Sequence, residues 1–136
     1  MSEDQSIEEI RQRKMEELQT EDEEPATVET PSEPVHVDGA SELQETADEY
    51  DVVLVDFYAD WCGPCKMIEP IVADLAAETD AVVAKVDVDA NQRLAQEYGV
   101  RGVPTLLLFA DGEPAERMVG VQQKEGLQDV IAQYSQ

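Results

Sequence analysis

The residues of this chain best suited to covalent chemistry are two cysteines, Cys62 and Cys65, three positions apart in the stretch FYADWCGPCKMIEP, 57–70. A pair at that spacing can clip a metal, staple a loop or cycle between dithiol and disulfide. A structural zinc wants four Cys or His ligands, usually as two spaced pairs. This chain has two Cys and one His, and His36, distant in sequence, suits a solvated or edge-strand position. A metal or iron–sulfur site would therefore need ligands from a second chain. A permanent staple closing so small a loop adds little by chain entropy, and in a reducing compartment it does not persist. Redox chemistry fits better. A cysteine near a helix start meets unpaired N–H groups and the positive end of the macrodipole, which favour the thiolate. Gly63-Pro64 makes a tight turn whose proline suits the first helical turn and keeps Cys65 within bonding reach. An exposed Cys62 then attacks a disulfide sulfur, and a buried Cys65 resolves the mixed disulfide.

That reading requires a strand before the pair and a helix after it. Residues 51–59, DVVLVDFYA, are a near-continuous apolar run, the pattern of a strand covered on both faces. A helix is predicted from Cys62 to Thr79, with Ile68, Ile71, Val72 and Leu75 on one face and Pro70 kinking it. Further buried strands are expected at 81–87 and 104–110, with a helix at 91–98 closed by Gly99 between them. Asp111-Gly112 signals a hairpin with a return strand at 115–119. Leu127, Val130, Ile131 and Tyr134 mark a last helix. Before the cysteine pair, Val35-His36-Val37 suits a short edge strand and 40–49 a short acidic helix with few apolar contacts. The order is β-α-β-α-β-α-β-β-α, an α/β domain with a central mixed sheet of about five strands flanked by about four helices. Early strands joined through helices should run parallel and the final hairpin antiparallel.

Asp56 is out of place in this pattern, a carboxylate inside an apolar strand. It either points to solvent at the strand end or is buried, in which case its acidity falls and it becomes a candidate base for Cys65. Lys85 stands likewise in an apolar strand. At this point the chain resembles the thioredoxin family. The resemblance rests on FYADWCGPCK, on VDF at 55–57, AKVD at 84–87, YGVRGVPTLLLF at 98–109, DGE at 111–113 and VG at 119–120, in order and spacing over roughly 35–136. It implies a thioredoxin fold, a disulfide reductase with Cys62 as nucleophile and Cys65 as resolving cysteine, Asp56 as the buried acid/base and Lys85 as its neighbour. It also implies that Pro104 is a cis-proline beside the disulfide and that the Val103 backbone pairs with an extended substrate segment. Trp61, Gly63, Pro64, Gly102 and Gly120 would complete that surface. Tyr58 departs from the tryptophan of many members. The implied partners are thioredoxin reductase and disulfide-containing proteins, with no cofactor and no metal. Gly-Pro between the cysteines resembles reducing members, whereas oxidases and isomerases tend to carry a His there. A binding module in which redox is incidental is the reading from another class.

The remaining residues bear on surroundings rather than chemistry. A net charge of −23, from 32 acidic and 9 basic residues, argues against nucleic acid and anionic membranes as partners. It points to a salt-rich cytosol, where screening makes the self-repulsion tolerable; the plainer alternative is an acidic protein with a disordered tail. The first residues lack the basic and apolar regions of a signal peptide, which makes the cytoplasm the expected location. Residues 1–34 read as an acidic extension, largely disordered. Within it 6–19 carries helix signals, either a frayed helix or a docking arm, and 20–34 reads as a Pro-rich linker. The domain proper is expected over 35–136, as a monomer.

Overall fold

The computed structural model describes residues 30–135. The predicted helix at 6–19 and the linker up to residue 29 lie outside the described residues; residues 30–34 carry neither helix nor strand. Nine elements follow: β1 (Val35–His36), α1 (Ala40–Glu49), β2 (Val52–Tyr58), α2 (Gly63–Glu78), β3 (Val82–Asp87), α3 (Gln92–Glu97), β4 (Thr105–Ala110), β5 (Glu113–Val119) and α4 (Lys124–Tyr134). They build one mixed sheet in the order β1-β3-β2-β4-β5. β3 lies between β1 and β2 and runs parallel to both, while β4 is antiparallel to β2 and to β5.

Alternation along the central strands sends successive side chains to opposite faces, and both faces are covered. Val53, Val55 and Phe57 of β2 pack with Val82, Ala84 and Val86 of β3 under Leu43 and Ala47 of α1 and Leu94 of α3. Val52 and Leu54 pack with Val83, Leu106 and Leu108 against Ile68, Val72 and Leu75 of α2 and Leu127 and Ile131 of α4. Asp56 and Lys85 follow in the second set, so both belong to the α2 face. They stand opposite each other in the β2–β3 register.

Three details differ from the sequence reading. The helix α3 does not lead to a parallel strand: β4 enters on the far side of β2 and runs against it. The return strand begins at Glu113 rather than 115, because a register shift between Leu108 and Phe109 lets Pro114 pair at the sheet edge, where a missing N–H costs least. The acidic helix α1 has few apolar residues, as expected, yet Leu43 and Ala47 are fully buried. The helix predicted from Cys62 to Thr79 is α2, and it continues through Pro70 to Glu78.

Candidate active site

β2 delivers the chain to Cys62, which is the N-cap of α2 in extended conformation. Its Sγ accepts the Cys65 backbone N–H at 3.1 Å, so the sulfur satisfies one of the helix's orphan donors. Pro64 occupies the first turn, and no acidic residue does. The positive end of α2 is thus left uncompensated beside the sulfur, which favours a thiolate there. Cys62 and Cys65 are joined in a disulfide with 5.3 Å between their Cα atoms.

The expectation of an exposed Cys62 is corrected. In the disulfide it is 3% exposed, as buried as Cys65. Ala59 packs with the two cysteines, and Tyr58, Val88 and Val103 close over them. The exposed part is the rim: Trp61 at 71%, with Gly63 and Pro64 beside it. The Trp61 indole N–H donates to Asp89 Oδ2 at 2.9 Å, which fixes the ring against the loop after β3.

The far side of the pair comes from the loop before β4. The Val103–Pro104 peptide bond is cis. Val103 is half-buried against the cysteines, Pro104 is buried and Gly102 is exposed. The Pro104 carbonyl accepts the Gly120 N–H at 2.9 Å, which ties the end of β5 to this loop. Val119 and Val121, on either side of Gly120, are exposed.

On the sheet face that α2 covers, Asp56 is fully buried and neither carboxylate oxygen has a hydrogen-bond partner. Burial pushes its pKa up to about 6; the neighbouring Lys85 ammonium pulls it down, and Glu69 raises it further. Lys85 Nζ lies 3.9 Å from Asp56 Oδ2 and 3.7 Å from Glu69 Oε2. The same ammonium sits over the Tyr58 ring, 4.5 Å from its centroid. The solvent-facing alternative for Asp56 is therefore excluded. All eleven sequence-predicted site residues fall around the disulfide, in the carboxylate–lysine pair on β2 and β3, or in the loops flanking β4 and β5. Glu69, Tyr58 as a seat for Lys85, and Asp89 were missed. The available signals were Glu69 one helical turn after Cys65 and Tyr58 two residues after Asp56 on the same strand face.

Among the described residues no group of three or more His, Cys, Asp or Glu side chains is placed to hold a metal ion. No helix among them is long and apolar enough to cross a membrane.

The thioredoxin family profile matches residues 34–133 of the chain. The chain belongs to the thioredoxin family. It is 51% identical over 85 residues to the thioredoxin of Staphylococcus epidermidis, covering 61% of this chain and 82% of that one. It is 49% identical over 84 residues to the thioredoxin of Chlamydia muridarum, with the same coverage of each. Among solved structures, a point mutant of the thioredoxin from Halobacterium salinarum superposes with a TM-score of 0.78 at 58% identity, covering 82% of this chain and 97% of that one. As a member of the thioredoxin family with its closely spaced cysteine pair joined in a disulfide, the protein is a thiol–disulfide oxidoreductase and a disulfide reductase. The readings as an isomerase or as a binding module are not favoured.

Proposed function

We propose that the protein reduces disulfides in other proteins through a mixed disulfide, with each side chain of the site in a distinct role. In the reduced enzyme the Cys62 thiolate, stabilised at the start of α2, attacks one sulfur of a target disulfide. The other target sulfur leaves as a thiolate and takes up a proton. Asp56, ionised, accepts the proton of the Cys65 thiol, and Cys65 attacks the Cys62 sulfur. The second target thiol is released, the Cys62–Cys65 disulfide forms, and two electrons have passed to the target. A thioredoxin reductase returns them. The observation that carries this reading is the disulfide at the N-terminus of α2 lying on the same sheet face as a buried carboxylate with no hydrogen-bond partner.

Lys85 counters the Asp56 charge. The extended target segment lies along Val103 and the cis Pro104, whose loop stands outside the β4 ladder that begins at Thr105. Trp61, Gly63, Pro64, Gly102 and Gly120 form the rest of the contact surface. No cofactor takes part, the reversible disulfide being the only redox group. The domain acts as a monomer over 35–136, preceded by an acidic extension. Support for that boundary is the family match starting at residue 34. A reducing dithiol works where a reductase keeps it reduced, which favours the cytoplasm. The net charge of −23 and the 58% identity to a Halobacterium salinarum protein favour a salt-rich one.

Insulin-disulfide reduction driven by dithiothreitol tests the proposal. The wild type should accelerate precipitation of the insulin B chain, and Cys62→Ser should not. A wild type no faster than dithiothreitol alone would sink it.

A further inference from the structure

Lys85 stands among three groups that attract its charge and is in hydrogen-bond contact with neither carboxylate: Asp56 at 3.9 Å, Glu69 at 3.7 Å and the Tyr58 ring at 4.5 Å from its centroid. The Asp56 side chain is 1% exposed, that of Lys85 10% and that of Glu69 54%, so the ammonium lies between a buried carboxylate and a half-exposed one. Glu69 is four residues after Cys65 in α2, on the same side of the helix as the resolving cysteine. Both oxygens of Asp56 are without hydrogen bonds although a lysine is within reach of a small side-chain movement.

We infer that Glu69 is a positioning residue for this site: together with the Tyr58 ring it draws the Lys85 ammonium toward solvent and holds it short of a hydrogen bond to Asp56. The inference rests on the proposed role of Asp56 as the base for Cys65. Two effects of Glu69 act in one direction. Its own negative charge disfavours a second one nearby, and its hold on Lys85 withholds the hydrogen bond that would stabilise the Asp56 carboxylate. Both keep Asp56 a stronger proton acceptor once it is ionised.

The surroundings of Asp56 leave few competitors for this part. β3 supplies Lys85, α2 supplies Glu69 and carries the two cysteines at its start, and β2 itself supplies Tyr58. On β1, His36 stands opposite Lys85 in register and edge-on to the Tyr58 ring. β4 presents Leu106 opposite Asp56, and α4 packs this face with Leu127 and Ile131. In the oxidised protein the cysteines do not titrate, so the carboxyl can be followed without a coupled thiol.

The test is the titration of the Asp56 carboxyl carbon by NMR in the oxidised full-length protein, for wild type, Glu69→Gln and, as a control on the same helix, Glu78→Gln. Glu78 pairs with Lys124, away from the site. Glu69→Gln should lower the Asp56 midpoint by about one pH unit, the lower end of what an opposite charge in contact achieves. Glu78→Gln should leave it in place. An Asp56 midpoint in Glu69→Gln that coincides with wild type overturns the inference. The pH profile of insulin reduction gives the second readout: its acid limb should move down with the Asp56 midpoint, whereas a merely structural loss would lower the rate at every pH. If the midpoint falls and the limb stays, Glu69 positions the charge as inferred, and it is the assignment of Asp56 as base that fails.

Discussion

Asp56 and Lys85 face each other across the parallel β2–β3 register at 3.9 Å, within ion-pair distance but beyond a hydrogen bond. A buried carboxylate left in that condition is neutralised more easily than one that is fully paired, and its pKa stands at about 6. In the unfolded chain an Asp titrates near 4. Between those two values the native state holds a proton that the unfolded state has lost, so stability falls as pH rises through this window.

Asp56→Asn should remove that dependence. A displacement of this size corresponds to up to about 3 kcal/mol, because each unit is worth about 1.4 kcal/mol. The stability of Asp56→Asn relative to wild type should therefore rise by up to this amount between pH 4 and pH 8, levelling off at both ends. Urea unfolding of both proteins across the range measures it. A constant difference would mean that Asp56 has no raised pKa in the folded protein.

Cys65→Ser separates the two sulfur roles. It keeps the attacking thiol and removes the one that releases the target, so the mixed disulfide at Cys62 should accumulate. Incubation of the reduced variant with a disulfide-bonded protein, followed by mass spectrometry without reductant, should show a covalent adduct, and Cys62→Ser should show none. Equal trapping by both variants would contradict the order of attack.

Much of this site could be read along the chain because its parts are local. Cys62, Gly63, Pro64 and Cys65 occupy one helical turn, and a carboxylate within the apolar β2 is visible without any knowledge of its neighbours. What joins Asp56 to Lys85 is not local. Their meeting depends on the β2–β3 register, which a helical crossover sets and no short motif records. Glu69 was passed over because a glutamate on a helix is ordinarily a solvated one, and only the position of Lys85 gives it a partner. The burial of Cys62 was misjudged for a similar reason: Val88 and Val103, which cover it, come from two distant loops. The direction of β4 also lay beyond the pattern, since a helix before a strand does not say which edge of β2 that strand will take.

The β4–β5 turn offers a test remote from the chemistry. Asp111 and Gly112 both have positive φ, 54° and 86°, the geometry of a tight hairpin whose second position favours glycine. A Cβ on Gly112 would also come within 2.8 Å of Asp48 Oδ1 on α1. Asp48 is an exposed side chain that can move aside, so the backbone supplies most of the penalty. Gly112→Ala should cost about 1–2 kcal/mol, seen as a lower thermal midpoint. Its rate of insulin reduction below that midpoint should match wild type. An unchanged midpoint would show that the turn relaxes freely.

The acidic surface leads to a prediction in salt. With 32 acidic and 9 basic residues, most carboxylates have no cation to meet, and Lys124 shares itself between Asp74 at 3.5 Å and Glu78 at 2.9 Å. Salt acts on such a surface in two opposed ways. It weakens the few ion pairs, each worth about 1 kcal/mol or less when exposed. It also relieves repulsion among many like charges, as the screening length shrinks from about 10 Å at 0.1 M to about 3 Å at 1 M. The imbalance of charge makes relief the larger effect, so the unfolding midpoint should rise from low to molar KCl. Chloride rather than sulfate is the right probe, because sulfate strengthens apolar burial in any protein. Equal or greater stability at low salt would rule out adaptation to a salt-rich cytoplasm.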